Sequence, residues 1–210
     1  PAYIYPDGTN STITVSQGTS CLLMTWELYN TFKANSNDQR FQKLIYNGIY
    51  TDDISVASNE VDITEEGYTY LPVTLKYFDF GNEGMTTCAC GNDNIIYRYA
   101  DVYLSLAEAL VMKPGASASN YTEALSYVNK VRARAKLKDL KMNDVNTQEK
   151  FIDCILTERS HEFWCENGQY RADLIRHDKF VQRAIDVTQT PYANKYKELY
   201  PLPVSYTHLR

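Results

Sequence analysis

Between Glu158 and Arg176 the chain reads Glu-Arg-Ser-His-Glu-Phe-Trp-Cys-Glu-Asn-Gly-Gln-Tyr-Arg-Ala-Asp-Leu-Ile-Arg, its densest run of groups able to do chemistry. Glu158, Arg159 and Glu162 fall at the end of a predicted helix. After a Gly turn, Arg171, Asp173 and Arg176 sit among Tyr170, Leu174 and Ile175. Carboxylates one helical turn apart invite comparison with an acid/base pair. Glycoside hydrolysis needs two of them roughly 5–10 Å apart across an open cleft, one with a raised pKa. Neighbouring arginines push carboxylate pKa values down instead. Charges packed among large apolar groups survive burial by pairing and hydrogen bonding. The run therefore predicts a structural clamp between two helices, built on Arg159, Glu162, Arg171 and Asp173. Arg171 is expected to pair with Glu162 or Asp173, in a fork geometry that Lys matches poorly. Ser160 and His161 are adjacent on the helix, so their side chains diverge, and no nucleophile elbow is present. No catalytic residue is assigned.

Other chemistry is thinner. Five cysteines (Cys21, Cys88, Cys90, Cys154 and Cys165) leave at least one without an intrachain partner. Cys154 and Cys165 share a helix face but stand about 16 Å apart along it, beyond disulfide reach. Cys88-Ala-Cys90 would supply half a metal site, yet no second Cys/His pair lies at a recognised spacing. Neither a metal nor a cofactor is expected. The basic stretch Lys130, Arg132, Arg134, Lys136, Lys138 and Lys141 reads as a solvated face that complements a helix C-terminal dipole. Tyrosine outnumbers phenylalanine 18 to 7, which favours surfaces that stack on a ligand and hydrogen-bond at the rim. Trp26, Tyr46 and Tyr50, close to Asn47 and Asp52, are the candidate residues for stacking on a ligand, a sugar ring or a protein surface alike, because irregular segments are where aromatics can be exposed.

The bulk properties exclude several classes. A formal net charge of −5 over 210 residues argues against nucleic acid, whose phosphates require a basic footprint. No apolar run of about 18 residues exists to span a membrane. Pro1 opens the chain without a signal peptide or a lipidation cysteine nearby, so the sequence reads as part of a longer protein.

Residues 1–94 form a loop-rich, ligand-facing region with short strands around Tyr68, Tyr70, Val73 and Leu75. It also holds a short helix over Thr25–Phe32, capped by Thr25. Residues 95–203 are helical. The first helix, Ile96–Met112, shows the stripe Tyr99, Val102, Tyr103, Leu106, Ala109, Leu110 and stops at Pro114-Gly115. Asn120-Tyr-Thr-Glu123 predicts a capping box opening the second helix, which buries Tyr121, Ala124, Leu125, Val128, Val131 and Ala135. Asn146-Thr-Gln-Glu149 opens a third, through Phe151, Ile152, Ile155 and Leu156 to Phe163. A short helix near Phe180–Ile185 follows, then loop. Ala107, Ala109 and Ala124 let the first two helices cross closely, as in a tetratricopeptide-like hairpin. The fold class is mainly α, a hairpin packed on further helices beside an irregular region.

Four motifs in order resemble those of the SusD/RagB family, the surface glycan-capture lipoproteins of Bacteroidetes. Ile96–Leu110 resembles the family's "RYADVLLMYAEAL" helix, and Ala124–Ala135 resembles "AL..IN.VR.RAG". Glu158, Arg159, Glu162, Glu166, Gly168, Arg171, Asp173, Leu174 and Arg176 resemble "ERR.EL..EG.R..DLRR". Tyr200-Pro-Leu-Pro203 is similar to the closing "YPIP", and Asp38-Gln-Arg40-Phe41 echoes "DPRF". The resemblance implies a non-catalytic protein that binds oligosaccharides at the outer-membrane surface and delivers them to a SusC-like TonB-dependent transporter. It implies a membrane link only through a lipid anchor that this sequence lacks. The ending at 204–210 departs from the family and reads as a non-native tail. The alternative function is a helical-repeat scaffold that binds a protein or peptide and no sugar.

Overall fold

Thr25 opens the first helix by accepting the Leu28 amide on its hydroxyl at 3.3 Å, as its position before the apolar run predicts. In the computed structural model, which describes residues 3–4, 10–11, 24–46, 64–65, 68–69, 73–74, 76, 95–166, 169–188 and 194–198, that helix, α1, is Trp26–Lys33. Asp38 caps α2 (Gln39–Leu44) by accepting the Arg40 amide at 2.8 Å. The long helices are α3 (Tyr99–Met112), α4 (Ala118–Arg134) and α5 (Gln148–Phe163). Strands occur only as two-residue antiparallel pairs among the described residues: β1 (Tyr3–Ile4) with β2 (Asn10–Ser11), β3 (Ile45–Tyr46) with β6 (Val73–Thr74), and β4 (Thr64–Glu65) with β5 (Tyr68–Thr69). The protein is mainly helical, as its periodicity predicts.

The chain divides into two units, Pro1–Asn167 and Gly168–Arg210. In the first, α3 and α4 form the predicted hairpin and α5 packs on it. Its core joins Leu104, Ala107 and Val111 of α3, Ala124, Leu125, Val128 and Val131 of α4, and Phe151, Ile152, Ile155 and Leu156 of α5. Gln148 ties α5 to α3 by donating to the Val111 carbonyl at 2.8 Å, which satisfies one of the acceptors a helix end leaves unpaired. A second cluster gathers Met24, Tyr29 and Phe32 from α1 and its lead-in with Ile45 and Trp164. Within the second unit, α6 (Gln169–Arg176) packs on α7 (Phe180–Thr188).

Three sequence expectations shift. Helix α4 begins earlier than Asn120 predicts, because Ser117 is the cap: its hydroxyl accepts the Asn120 amide while the Asn120 side chain accepts the Ser117 amide. Asn120 is thus the closing N3 residue of a capping box rather than its start. On α3 the buried face is Ala100, Leu104, Ala107 and Val111, whereas Tyr99, Val102, Leu106 and Ala109 are exposed. The helix is apolar nearly all round, so period alone does not choose its inner face. Helix α6 was absent from the sequence expectation. Gly115, predicted as a stop, has φ +69°, a left-handed turn that glycine adopts without strain.

Candidate functional site

The first four positions of α5's apolar stripe end at Leu156, and from Glu158 to Phe163 every residue is buried, four of them polar or charged besides Ser160. Burial of a helix on all sides demands partners for its charges, and distant segments supply them. Arg40 grips Asp38 with two parallel bonds, Nε to Oδ1 at 3.0 Å and Nη2 to Oδ2 at 2.7 Å. Its Nη1 donates to Glu158 at 2.7 Å and to Glu162 at 3.0 Å. Arg132 donates to the other Glu158 oxygen at 3.2 Å. Glu162 receives Arg98 and Arg134 on Oε1 and Arg40 on Oε2. Arg98 then extends to Glu166 with bonds of 3.0 and 2.9 Å, and Lys76 meets the same carboxylate. Arg159 pairs with Asp101 of α3 at 2.8 Å.

Every oxygen of Glu158, Glu162 and Glu166 therefore has a cationic donor. Burial alone would raise the Glu162 pKa, but Arg134, Arg98 and Arg40 outweigh it and hold the carboxyl below its usual range. Burial works against the Arg40 charge too, and Asp38, Glu158 and Glu162 more than compensate. Burial lowers the Lys76 pKa, against the pull of Glu166. A carboxylate held ionised in this way, as Glu162 is, is the opposite of the protonated acid that glycoside hydrolysis requires. The cluster links α2, Lys76, the start of α3 and the end of α4 to one end of α5.

His161 lies inside the same end of the helix. Its ring stacks on Phe32 at 4.1 Å between centroids, and Nε2 is 2.9 Å from the Thr31 hydroxyl. That hydroxyl donates to the Leu28 carbonyl at 2.7 Å, so Nε2–H is the donor to it. Burial, reinforced by Arg40, lowers the His161 pKa to about 4. The adjacent Ser160 donates backward to the Thr157 carbonyl at 2.7 Å, so the two side chains diverge as their spacing predicts. Burial also pushes the Cys154 thiol up to about 12; Cys154 and Cys165 are both free. Among the described residues no group of His, Cys, Asp and Glu could hold a metal ion, and Cys88 and Cys90 lie outside them.

The residues expected to form the clamp are placed as follows. Glu162 is the centre of the network and Arg159 borders it through Asp101. Arg171 and Asp173 belong to the second unit, where Arg171 donates to the Glu198 carbonyl at 3.1 Å and lies 5.0 Å over the Phe180 ring. Asp173 accepts Arg176 at 2.9 Å. The partners that sequence spacing did not suggest are Arg40, Arg98, Arg132 and Arg134. All four lie inside the recognised motifs, which was the available signal. The basic stretch from Lys130 is accordingly not a wholly solvated face, since Arg132 and Arg134 turn to α5.

Of the aromatic candidates, Trp26 is half-buried, edge-on to Tyr29 at 5.3 Å and packed against the Phe32 cluster. Tyr46 is described only by its backbone, in β3 opposite Val73. Tyr50 lies outside the described residues, with Asn47 and Asp52.

Motif residues of the first unit, from Asp38 and Arg40 to Glu162 and Glu166, thus converge on one buried network, and the SusD family (SusD_RagB) matches residues 4–203 of the chain. The chain belongs to the SusD family. No curated protein and no solved structure matches it. Proteins of the SusD family are non-catalytic binding proteins with a carbohydrate-binding role in nutrient uptake, generally associated with the outer-membrane surface and SusC-like transporters. Among the described residues no helix is long and apolar enough to cross a membrane.

Proposed function

We propose that this SusD-family chain binds oligosaccharides at the cell surface, without catalysis, and delivers them to a SusC-like TonB-dependent transporter. The observation that carries the proposal is the family match over residues 4–203. The chemistry of α5 supports the non-catalytic part, because its carboxylates are saturated by arginines. Sugar recognition draws on aromatic faces that cover apolar ring surfaces and on short polar groups that meet hydroxyls. Trp26, Tyr46 and Tyr50 are the proposed stacking residues, with Asn47 and Asp52 beside them.

The test is retardation of the protein in native gels cast with a panel of polysaccharides. One glycan should slow migration, and Trp26→Ala or Tyr46→Ala should abolish the effect. Retardation that survives both changes moves the site elsewhere, and release of new reducing ends would contradict the non-catalytic reading.

One observation favours a second reading. Ile96, Tyr97 and Tyr99 are 67%, 78% and 77% exposed, and Val102 and Leu106 extend the apolar face along α3. Large exposed apolar patches mark interaction surfaces, which suits a helical-repeat scaffold for a protein or peptide. Retardation by no glycan would favour it.

A further inference from the structure

The chain leaves β3 at Tyr46 and returns at Val73 directly opposite it, with Ile45 opposite Thr74. A two-residue pair is far too short to hold itself together in water, so something outside it must fix its place. Ile45 supplies one contact, buried in the cluster that contains Trp164. Two residues beyond the pair, Lys76 supplies another. Its ammonium donates to the Glu162 carbonyl at 2.6 Å and to the Trp164 carbonyl at 3.3 Å, and it meets the Glu166 carboxylate. Carbonyls at a helix C-terminus lack intrahelical donors and carry the negative end of the helix dipole, which favours a cation there.

The groups Lys76 touches do not depend on it equally. Arg98 also donates to the Glu162 carbonyl, at 2.9 Å, and grips Glu166 with two bonds. Removing the ammonium leaves those acceptors paired and α5 intact, while the strand pair loses its polar attachment. From this asymmetry we infer that Lys76 is the anchor of the β3–β6 pair on the end of α5, and hence a positioning residue for Tyr46. The positioning role rests on the carbohydrate reading of Tyr46; the anchoring role does not.

Hydrogen exchange on Lys76→Met and Lys76→Arg in the whole chain tests the anchor. Lys76→Met should speed exchange in β3 and β6 by about tenfold or more while α3, α4 and α5 keep their protection, the pattern of a local opening. Lys76→Arg, which keeps a cation able to reach the same acceptors, should restore it. Unchanged exchange in β3 and β6 would overturn the inference, as would equal loss across α5. Retardation by a bound glycan, measured on the same variants, separates the two readings. Loss in Lys76→Met with recovery in Lys76→Arg supports positioning of Tyr46. Loosened strands with unchanged retardation leave the anchor standing and overturn the assignment of Tyr46.

Discussion

Phe151, Ile152, Ile155 and Leu156 of α5 are buried by aliphatic and aromatic contact with α3 and α4, whereas Glu158 and Glu162 of the same helix are buried against arginines. The first half needs only shape and apolar area, so many neighbours would do. The second half needs a cation at each carboxylate oxygen, so its partners must come from specific places. Arg40 arrives from 118 residues away in sequence to reach Glu158. Apolar packing therefore closes the helical bundle, and the ionic half decides which other segments attach to it. A buried ion pair is weak support for net stability, but breaking one is costly.

The largest effects should come from removing one member of each half. Arg40→Ala leaves the fully buried Asp38, and Glu158 and Glu162, short of a cation; a loss of about 3–5 kcal/mol is expected. Phe151→Ala, at a fully buried apolar position, should lose a similar amount, about 3–5 kcal/mol. Denaturant titrations at several pH values distinguish them: the Phe151→Ala loss should be the same throughout, and the Arg40→Ala loss should shrink in acid as Glu162 protonates. Identical pH responses would break the contrast between the halves.

Next in size is the response of the unsubstituted protein to acid. The unfolded chain binds a proton on His161 near pH 6.5, while the folded ring resists protonation to about pH 4. Its contribution is complete above pH 6.5 and is lost as pH falls through that window, on the order of 3–3.5 kcal/mol. Glu162, with its lowered pKa, adds loss in the same direction at lower pH. His161→Phe should flatten the upper part of the profile, and a profile unchanged by that substitution would remove His161 from the account.

The smallest effect should be that of Arg134, whose side chain is 58% exposed although its tip reaches Glu162. Arg134→Ala should cost less than about 1 kcal/mol, and less still in high salt. A larger, salt-insensitive loss would show that the network's edge is as critical as its centre.

The contrast between the halves also explains what the sequence made legible. The apolar faces of α4 and of the first half of α5 follow from spacing alone, and Thr25 announces α1. The inner face of α3 did not, because Tyr99, Val102 and Leu106 compete with Ala100, Leu104 and Ala107 on equal periodicity. Nor did Ser117 as the cap of α4, since Asn120 offers the same chemistry three residues later. For the charged half, local spacing offers Arg171 as a partner for Glu162 or Asp173, and it does not point to Arg40, Arg98 and Arg134, which meet Glu162 from far along the chain. Long-range pairing leaves no local periodicity. The motifs held those residues without saying that they meet.

If the motif carboxylates hold the fold together without touching ligand, Glu162→Gln should change stability and leave binding alone, which the urea midpoint and polysaccharide retardation measured together will show. Stability should fall by more than about 2 kcal/mol, because buried arginines lose their counter-charge, with the folded protein retarded as before. An unchanged midpoint with retardation abolished would contradict this, and would make Glu162 a ligand contact.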